Sequence, residues 1–180
     1  MKKKSLSFLI IILLSFLSGC LEDTNEDIGD NFIFNTLDGG TKQLIDYRGK
    51  IVILDLWATW CGPCQYQMTE LKKIYENYSR DDLEIISVNV DPRENAQLIE
   101  KFKNDFNNTL GIELNWVFGM DNDSISEKYN KGGVIPTLCI FDKKGRLTFS
   151  ESGISVYLEI PEGFPANTTV LAPIINKLID

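Results

Sequence analysis

Histidine is absent from the 180-residue sequence, and cysteine is scarce, with single residues at positions 20, 61, 64 and 139. A closed structural zinc site needs four ligands, and the body of the chain offers only Cys139 beside the Cys61/Cys64 pair. A copper-delivery protein would need a ligating histidine. The composition therefore predicts that the chain holds no metal ion.

Basic residues are also fewer than acidic ones. Lys and Arg together number 18 against 26 Asp and Glu, which gives a net charge of −8. An acidic surface repels the phosphates of nucleic acids and anionic lipid headgroups. We therefore expect no nucleic-acid partner, and any link to a membrane must come from an anchor.

The N-terminus lacks an apolar run long enough to span a bilayer. Lys2, Lys3 and Lys4 precede an apolar stretch from Leu6 to Leu17, which is shorter than the roughly 20 residues of a membrane-spanning helix and suits a signal peptide. The following Leu-Ser-Gly-Cys20 resembles a lipoprotein processing box, which implies that residues 1–19 are removed and that Cys20 carries lipid. Removal of three lysines and no acid would lower the net charge from −8 to −11.

A plain signal peptide or an uncleaved anchor is the alternative to a lipoprotein signal, and every one of these interpretations places the folded part outside the cytoplasm. Residues 20–30 are polar and acidic and are predicted to form a tether. Residues 31–180 are enough for one domain with a sizeable core.

The stretch from 51 to 64 carries the chemistry. Ile51–Leu56 is an apolar run, continuous but for Asp55, and is typical of a strand covered on both faces of a sheet. Cys61-Gly-Pro-Cys64 follows, and residues 65–78 have the apolar spacing of a helix. This order places the Cys61 thiol at a helix N-terminus, where backbone N–H groups and the helix dipole lower the pKa of a thiol.

Cys64 lies about one helical turn after Cys61, close enough for a disulfide and turned further into the protein. The spacing predicts one attacking and one resolving thiol. Half of a zinc site and an inert structural disulfide are the alternatives; a bridge that closes so short a loop constrains little of the unfolded chain.

The remaining pattern predicts alternating strands and helices. A hairpin is expected from residues 32–34 and 42–44 around the turn 37–40, and further strands over 83–90, 115–118, 137–141 and 146–149. Helices are expected over 93–106, 123–129 and 168–179. Such alternation indicates an α/β domain whose central sheet is covered on both faces.

Two motifs carry a resemblance to a known family. Residues 55–64, Asp-Leu-Trp-Ala-Thr-Trp-Cys-Gly-Pro-Cys, resemble the active-site signature of the thioredoxin superfamily, and Val134-Ile-Pro-Thr137 resembles its cis-proline loop. The spacing between the motifs is similar to that of the extracytoplasmic TlpA- and ResA-type branch. The resemblance implies a thioredoxin-like fold with a central mixed sheet, helices on both faces and an N-terminal β-hairpin extension.

Asp55 stands in an apolar strand, so we expect it to be partly buried with a raised pKa, the alternative being a solvated acid at the end of the strand. The resemblance implies that it takes the proton of Cys64. It further implies a cis peptide bond before Pro136, a substrate-facing backbone at Ile135, and contact surfaces from Trp60, Gly62 and Pro63.

Two positions depart from the relatives. Thioredoxins usually place a lysine near the aspartate, where this chain has Ser87, and ResA-like proteins carry a glutamate where this chain has Gln67.

Cys139 is expected to be a buried small hydrophobic residue. Residues 154–165 form a segment longer than is usual in the family, which we expect to be a surface loop rather than an edge of the substrate groove.

The resemblance implies a membrane-tethered extracytoplasmic thiol–disulfide oxidoreductase that uses a Cys61–Cys64 dithiol and no further cofactor. Gly62-Pro63 matches reducing relatives, whereas strongly oxidising relatives usually carry a histidine between the cysteines. The implied partners are exported proteins with disulfides, including apocytochromes c in their maturation, and a membrane thiol-transfer electron donor. A disulfide oxidase or isomerase and a non-catalytic binding module remain alternatives, and a peroxidase is disfavoured because Trp60 stands where a threonine is expected.

Overall fold

The structure is a computed structural model that describes residues 29–122 and 125–179. The predicted signal peptide, the predicted lipidation site Cys20 and the tether up to residue 28 lie outside these described residues. The last two residues of the predicted tether, Gly29 and Asp30, contact the domain, because Arg48 donates hydrogen bonds to both of their carbonyl oxygens.

Seven strands and four α-helices form the described fold. The strands are β1 Ile33–Thr36, β2 Thr41–Gln43, β3 Ile51–Trp57, β4 Leu83–Asn89, β5 Val117–Asp121, β6 Thr137–Phe141 and β7 Leu147–Ser152. The helices are α1 Gly62–Asn77, α2 Ala96–Leu110, α3 Ile125–Tyr129 and α4 Ala172–Ile179, and a short 3-10 helix spans Leu44–Tyr47.

All seven strands belong to one mixed sheet in the order β2-β1-β5-β4-β3-β6-β7. Strands β3, β4 and β5 are parallel, whereas β6, β7, β1 and β2 pair antiparallel with their neighbours. The thioredoxin-like α/β fold and the N-terminal hairpin are confirmed. Strand β3 is fully buried along its length, as its continuous apolar sequence predicted.

The two faces of the sheet bury different partners. One face packs α1, α2 and α4 against alternate residues of β3 and β4, among them Ile51, Ile53, Trp57 and Ile85. The other face packs α3 and the 3-10 helix against Val52, Leu54 and Leu56. The alternation along β3 therefore decides which side chains point toward α1 and its cysteines.

Helix α2 begins three residues later and ends four residues later than predicted. The Asp91 side chain accepts the backbone N–H of Arg93 and forms a turn, and Asn95 then caps the helix by accepting the N–H of Leu98. The helix ends at Gly111, whose φ of 68° is the left-handed conformation that favours glycine.

The predicted helix over 168–179 is wrong in its first turn. Residues 168–171 instead continue the chain beside the segment 154–157, because the N–H of Val156 binds the carbonyl of Thr169 and the N–H of Leu171 binds the carbonyl of Val156. Strand β5 begins later and extends further than predicted, since β1 pairs with it as far as Asp121.

Smaller differences occur at other boundaries. Strand β7 runs from 147 to 152 instead of 146 to 149, the hairpin strands shift by one or two residues, and α1 begins at Gly62 rather than at residue 65. Of the helix predicted over 123–129, residues 123 and 124 lie outside the described residues, and the remainder forms α3.

Candidate active site

Cys61 and Cys64 form a disulfide at the start of α1. Cys61 is the N-cap of this helix and Pro63 stands in its first turn, where a missing N–H costs no helical hydrogen bond. The backbone N–H of Cys64 points at Sγ of Cys61 at 3.1 Å. Cys64 is fully buried, whereas Gly62 and Pro63 are exposed, so the bridge is approached from the side of Cys61.

Asp55 lies in β3 on the α1 side of the sheet, two residues before Trp57. It is fully buried, and this burial raises its pKa to about 7 even though a hydrogen bond from Ser87 opposes the shift. Its Oδ2 accepts the Ser87 hydroxyl at 2.8 Å, and its Oδ1 has no hydrogen-bond partner among the described residues. Burial of Asp55 is complete where partial burial was predicted, and the direction of the pKa shift agrees with the prediction.

A carboxylate from another loop holds the chain just before Cys61. Glu94 accepts hydrogen bonds from the backbone N–H and the hydroxyl of Thr59, and from the side-chain amide of Asn89. Gln65 donates to the carbonyl oxygen of Thr59. These contacts fix the turn that presents Cys61, and the sequence pattern gave no sign of Glu94.

Among the residues that the structure describes, Trp60 is the most exposed of the large apolar side chains, at 62%. Arg93 donates three hydrogen bonds to the carboxylate of Asp91, two from its guanidinium and one from its backbone N–H, and the indole N–H of Trp60 donates to the same carboxylate at 2.7 Å. These donors hold the pKa of Asp91 well below its usual range. The indole is therefore anchored through its N–H next to Cys61 while most of the side chain stays exposed.

The peptide bond between Ile135 and Pro136 is cis, as the resemblance implied. The carbonyl oxygen of Ile135 lies 3.7 Å from Sγ of Cys61, so the cis-proline loop and the disulfide are in contact. A groove of about 680 Å³ opens between this loop and the indole of Trp60, lined by apolar and polar residues that include Val90, Pro92 and Lys131. The structure thus brings Trp60, Cys61, Ile135 and Pro136 together.

The segment 154–165 is not simply a surface loop, which corrects the sequence-based expectation. Two buried polar residues of α1 bind its first part: Gln67 accepts the N–H of Ser155 at 2.8 Å, and Glu70 accepts the N–H of Tyr157 at 2.9 Å. Both acceptors are buried. The remaining residues, from Leu158 onward, are mostly exposed.

Cys139 lies on the opposite face of the sheet, buried beside Leu54 and Phe141, as expected for a small hydrophobic residue. Burial raises the pKa of its thiol.

Within residues 29–122 and 125–179 no group of three or more His, Cys, Asp or Glu side chains is placed to hold a metal ion. In the same part of the chain no helix is both long and apolar enough to cross a membrane.

A redox-capable cysteine pair at a helix N-terminus, a buried aspartate behind it and a cis-proline beside it define a thioredoxin-like thiol–disulfide oxidoreductase. Comparison with known proteins makes the assignment specific. A sequence model of the AhpC/TSA family matches residues 26–150, so the chain belongs to this family.

The chain is similar to the thiol-disulfide oxidoreductase ResA of Geobacillus thermodenitrificans, with 33% identity over 136 residues, which cover 72% of this chain and 73% of that protein. Solved structures of similar fold include a protein assigned as the thiol:disulfide interchange protein DsbE of Chlorobium tepidum. The two folds match with a TM-score of 0.65 and 20% sequence identity, and the match covers 84% of this chain and 95% of that one. The exposed lipoprotein thioredoxin of Streptococcus pneumoniae strain TIGR4 matches this fold with a TM-score of 0.55 and 22% sequence identity. The match covers 83% of this chain and 100% of that one.

Proposed function

We propose that this thiol–disulfide oxidoreductase is tethered to the outer side of a membrane and reduces disulfides in exported polypeptides, including apocytochromes c. The observation that carries the proposal is the Cys61–Cys64 pair at the N-terminus of α1, with the buried Asp55 carboxyl on the same side of the sheet. Gly62-Pro63 between the cysteines supports reduction as the direction.

The first step is attack by Cys61. In the reduced protein the Cys64 N–H and the start of α1 stabilise the Cys61 thiolate. This thiolate attacks one sulfur of the substrate disulfide, a bond forms between Cys61 and that sulfur, and the substrate S–S bond breaks. The second substrate sulfur leaves as a thiolate and takes a proton from water.

The second step releases the substrate. Asp55 accepts the proton of Cys64, whose thiolate attacks Sγ of Cys61 and forms the Cys61–Cys64 disulfide. The bond between Cys61 and the substrate breaks, and the substrate sulfur leaves. The protein dithiol has then lost two electrons and the substrate has gained them.

The substrate chain occupies the surface around the disulfide. Its backbone pairs with the Ile135 backbone beside Pro136, in the manner of strand addition. Trp60 supplies an apolar face, and the exposed Gly62 and Pro63 allow close approach to Cys61. Small residues at this point leave the sulfur accessible.

The tether and the electron source complete the proposal. Lipid on Cys20 would hold the domain at a membrane surface, and the exposed lipoprotein thioredoxin of S. pneumoniae shows that a protein of this fold occurs as a lipoprotein. A membrane thiol-transfer protein would return two electrons to the Cys61–Cys64 disulfide. The reaction requires no organic cofactor and no metal.

The test is catalytic reduction of a disulfide-linked polypeptide such as insulin, by the full chain in detergent with dithiothreitol as electron source. We expect Cys61→Ser to abolish turnover and Cys64→Ser to accumulate the mixed disulfide. Efficient oxidation of a reduced, unfolded polypeptide with no insulin reduction would show an oxidase instead. Restoration of a deletion strain by the Cys61→Ser, Cys64→Ser double variant would show a binding module.

A further inference from the structure

A buried chain of hydrogen bonds ends at Asp55. The indole N–H of Trp116 donates to the hydroxyl oxygen of Ser87 at 2.9 Å, and this hydroxyl donates to Oδ2 of Asp55 at 2.8 Å. Asp55 and Ser87 are fully buried, and Trp116 is 6% exposed. Strand register places Ser87 directly opposite Asp55 in the pairing of β3 with β4.

The chemistry of the indole fixes the direction of this chain. A tryptophan N–H donates and never accepts, so Ser87 Oγ is the acceptor in the first bond. The single hydroxyl hydrogen of Ser87 is thereby left for Asp55, and Oδ2 of the carboxylate is occupied as an acceptor. Oδ1, which has no partner among the described residues, is the remaining oxygen that can take a proton.

Trp116 is itself held in place by aromatic rings. Its ring stacks on Phe118 at 5.5 Å between centroids and contacts Tyr75 of α1 at 5.8 Å. Trp116 and Phe118 belong to the core cluster that also contains Cys61 and Cys64. The donor therefore has a fixed position on the same face of the sheet as the dithiol.

Burial raises the pKa of Asp55, and the hydrogen bond from Ser87 opposes this shift. On the other side of β3, strand β6 places Leu138 opposite Asp55. Helix α1 presents the two cysteines, Met68 and Leu71, helix α2 presents Ile99, and helix α4 presents Ile175. The titratable and charged groups against this cluster are the phenols of Tyr75, Tyr78 and Tyr157, the buried Glu70 that accepts the N–H of Tyr157, Lys72 and Arg80 over the ring of Tyr75, and Lys103 over the ring of Phe118.

We infer that Trp116 is a positioning residue for the proton transfer: through Ser87 it reserves Oδ2 of Asp55 for a hydrogen bond and leaves Oδ1 to receive the proton of Cys64. The inference rests on the proposed role of Asp55 in the second step of the reaction. The Ser87–Trp116 pair thus stands where thioredoxins use a lysine. It offers Asp55 a neutral hydrogen-bond donor in place of a positive charge.

The test follows the two steps separately. The reduced full chain in detergent is mixed with excess 5,5′-dithiobis(2-nitrobenzoate), and release of the coloured thiol is followed by stopped flow from pH 5 to pH 9. Attack by Cys61 releases one coloured thiol, and closure of the Cys61–Cys64 disulfide releases a second. The first phase reports the dithiol reaction, and the pH midpoint of the second phase reports Asp55.

We expect Trp116→Phe, which keeps a ring against Phe118, to raise the pH midpoint of the second phase by about one unit. The reason is that loss of the indole donor leaves the Ser87 O–H less polarised, which weakens its hydrogen bond to the ionised Asp55 and destabilises the charged form. Ser87→Ala also raises the midpoint, and Ser87→Thr, which keeps the hydroxyl, leaves it near the native value. In the Ser87→Ala background, Trp116→Phe has no further effect.

An unchanged midpoint in Trp116→Phe overturns the inference. So does an additional shift in the double variant, because Trp116 would then act through packing and not through Ser87. Retention of the native midpoint in Asp55→Asn would remove Asp55 as the proton acceptor, and the inference with it, while a normal first phase would leave the dithiol function standing. Absence of the first phase would instead contradict the proposed function itself.

Discussion

The backbone N–H of Cys64 points at Sγ of Cys61 across one turn of α1, at 3.1 Å. In a free helix end this N–H would lack a partner, so the Cys61 sulfur takes the place of an N-cap oxygen. Once the disulfide is reduced, the same N–H favours the thiolate over the thiol. Cys139, the free cysteine among the described residues, is buried on the opposite face of the sheet.

The two environments predict unequal thiol reactivity. In the reduced protein at pH 7, iodoacetamide should alkylate Cys61 at least about tenfold faster than Cys139, because a lowered pKa supplies thiolate at Cys61 and burial raises the pKa of Cys139. Peptide mass spectrometry over time measures both rates. Cys139 should react only after unfolding in urea, and equal rates in the native protein would contradict the assignment.

The buried Asp55 carboxyl predicts a pH-dependent cost to stability. Its pKa is about 7 in the folded state against 3.8 in the unfolded chain, so the native protein binds the proton more tightly. The contribution of this carboxyl to the free energy of unfolding is fully present below pH 3.8 and is lost as the pH rises through 7. Asp55→Asn should therefore stabilise the oxidised protein at pH 8 by on the order of 4 kcal/mol and change little at pH 4.

Urea unfolding at the two pH values measures this difference. Asp142 provides the opposite case: burial alone would raise its pKa, but hydrogen bonds from Arg146 and Lys144 outweigh this and lower it. Asp142→Asn should lose more stability at pH 8 than at pH 3. A gain in Asp55→Asn that is the same at pH 4 and pH 8 would mean that the carboxyl is ionised without penalty.

Asp91 is predicted to matter through Trp60. Asp91→Ala removes the acceptor that holds the indole, and we expect kcat/KM for a peptide disulfide to fall about fivefold, mainly through KM, as for loss of one hydrogen bond. Arg93→Ala is the matched control, because it leaves the carboxylate on Trp60 and removes only the ion pair that the largely exposed Arg93 guanidinium makes with Asp91. Equal losses in both variants would assign the effect to the ion pair.

Glu70 is predicted to stabilise the segment after β7. Glu70→Ala leaves the buried N–H of Tyr157 without its acceptor, which should cost about 1–3 kcal/mol in the free energy of unfolding. Lys73→Ala removes the ion pair of Glu70 with a half-exposed lysine and should cost less than about 1 kcal/mol. Thermal or urea unfolding checks both, and a larger loss in Lys73→Ala would reverse the assignment.

Local patterns predicted the parts of the fold that depend on local physics. The apolar run of β3, the turn of the N-terminal hairpin and the two cysteines around Gly62-Pro63 can each be recognised from a few neighbouring residues. The cis bond before Pro136 came from resemblance, since the sequence alone does not distinguish the two isomers.

Long-range polar contacts could not be predicted in this way. Glu94 reaches Thr59 across 35 positions, and Glu70 reaches Tyr157 across 87. Trp116 finds Ser87 only because β5 lies beside β4 in the sheet. The helix periodicity also carried no information that 168–171 would pair with 154–157, because tertiary hydrogen bonds override the local preference there.

The most direct test of the account is the reduction potential of the Cys61–Cys64 couple, measured on the full chain in detergent by equilibration with glutathione and dithiothreitol buffers. A reductase predicts a value near that of thioredoxin, about −270 mV. A value near −120 mV, which is typical of strong oxidants, would contradict the reducing direction and make the protein a catalyst of disulfide formation.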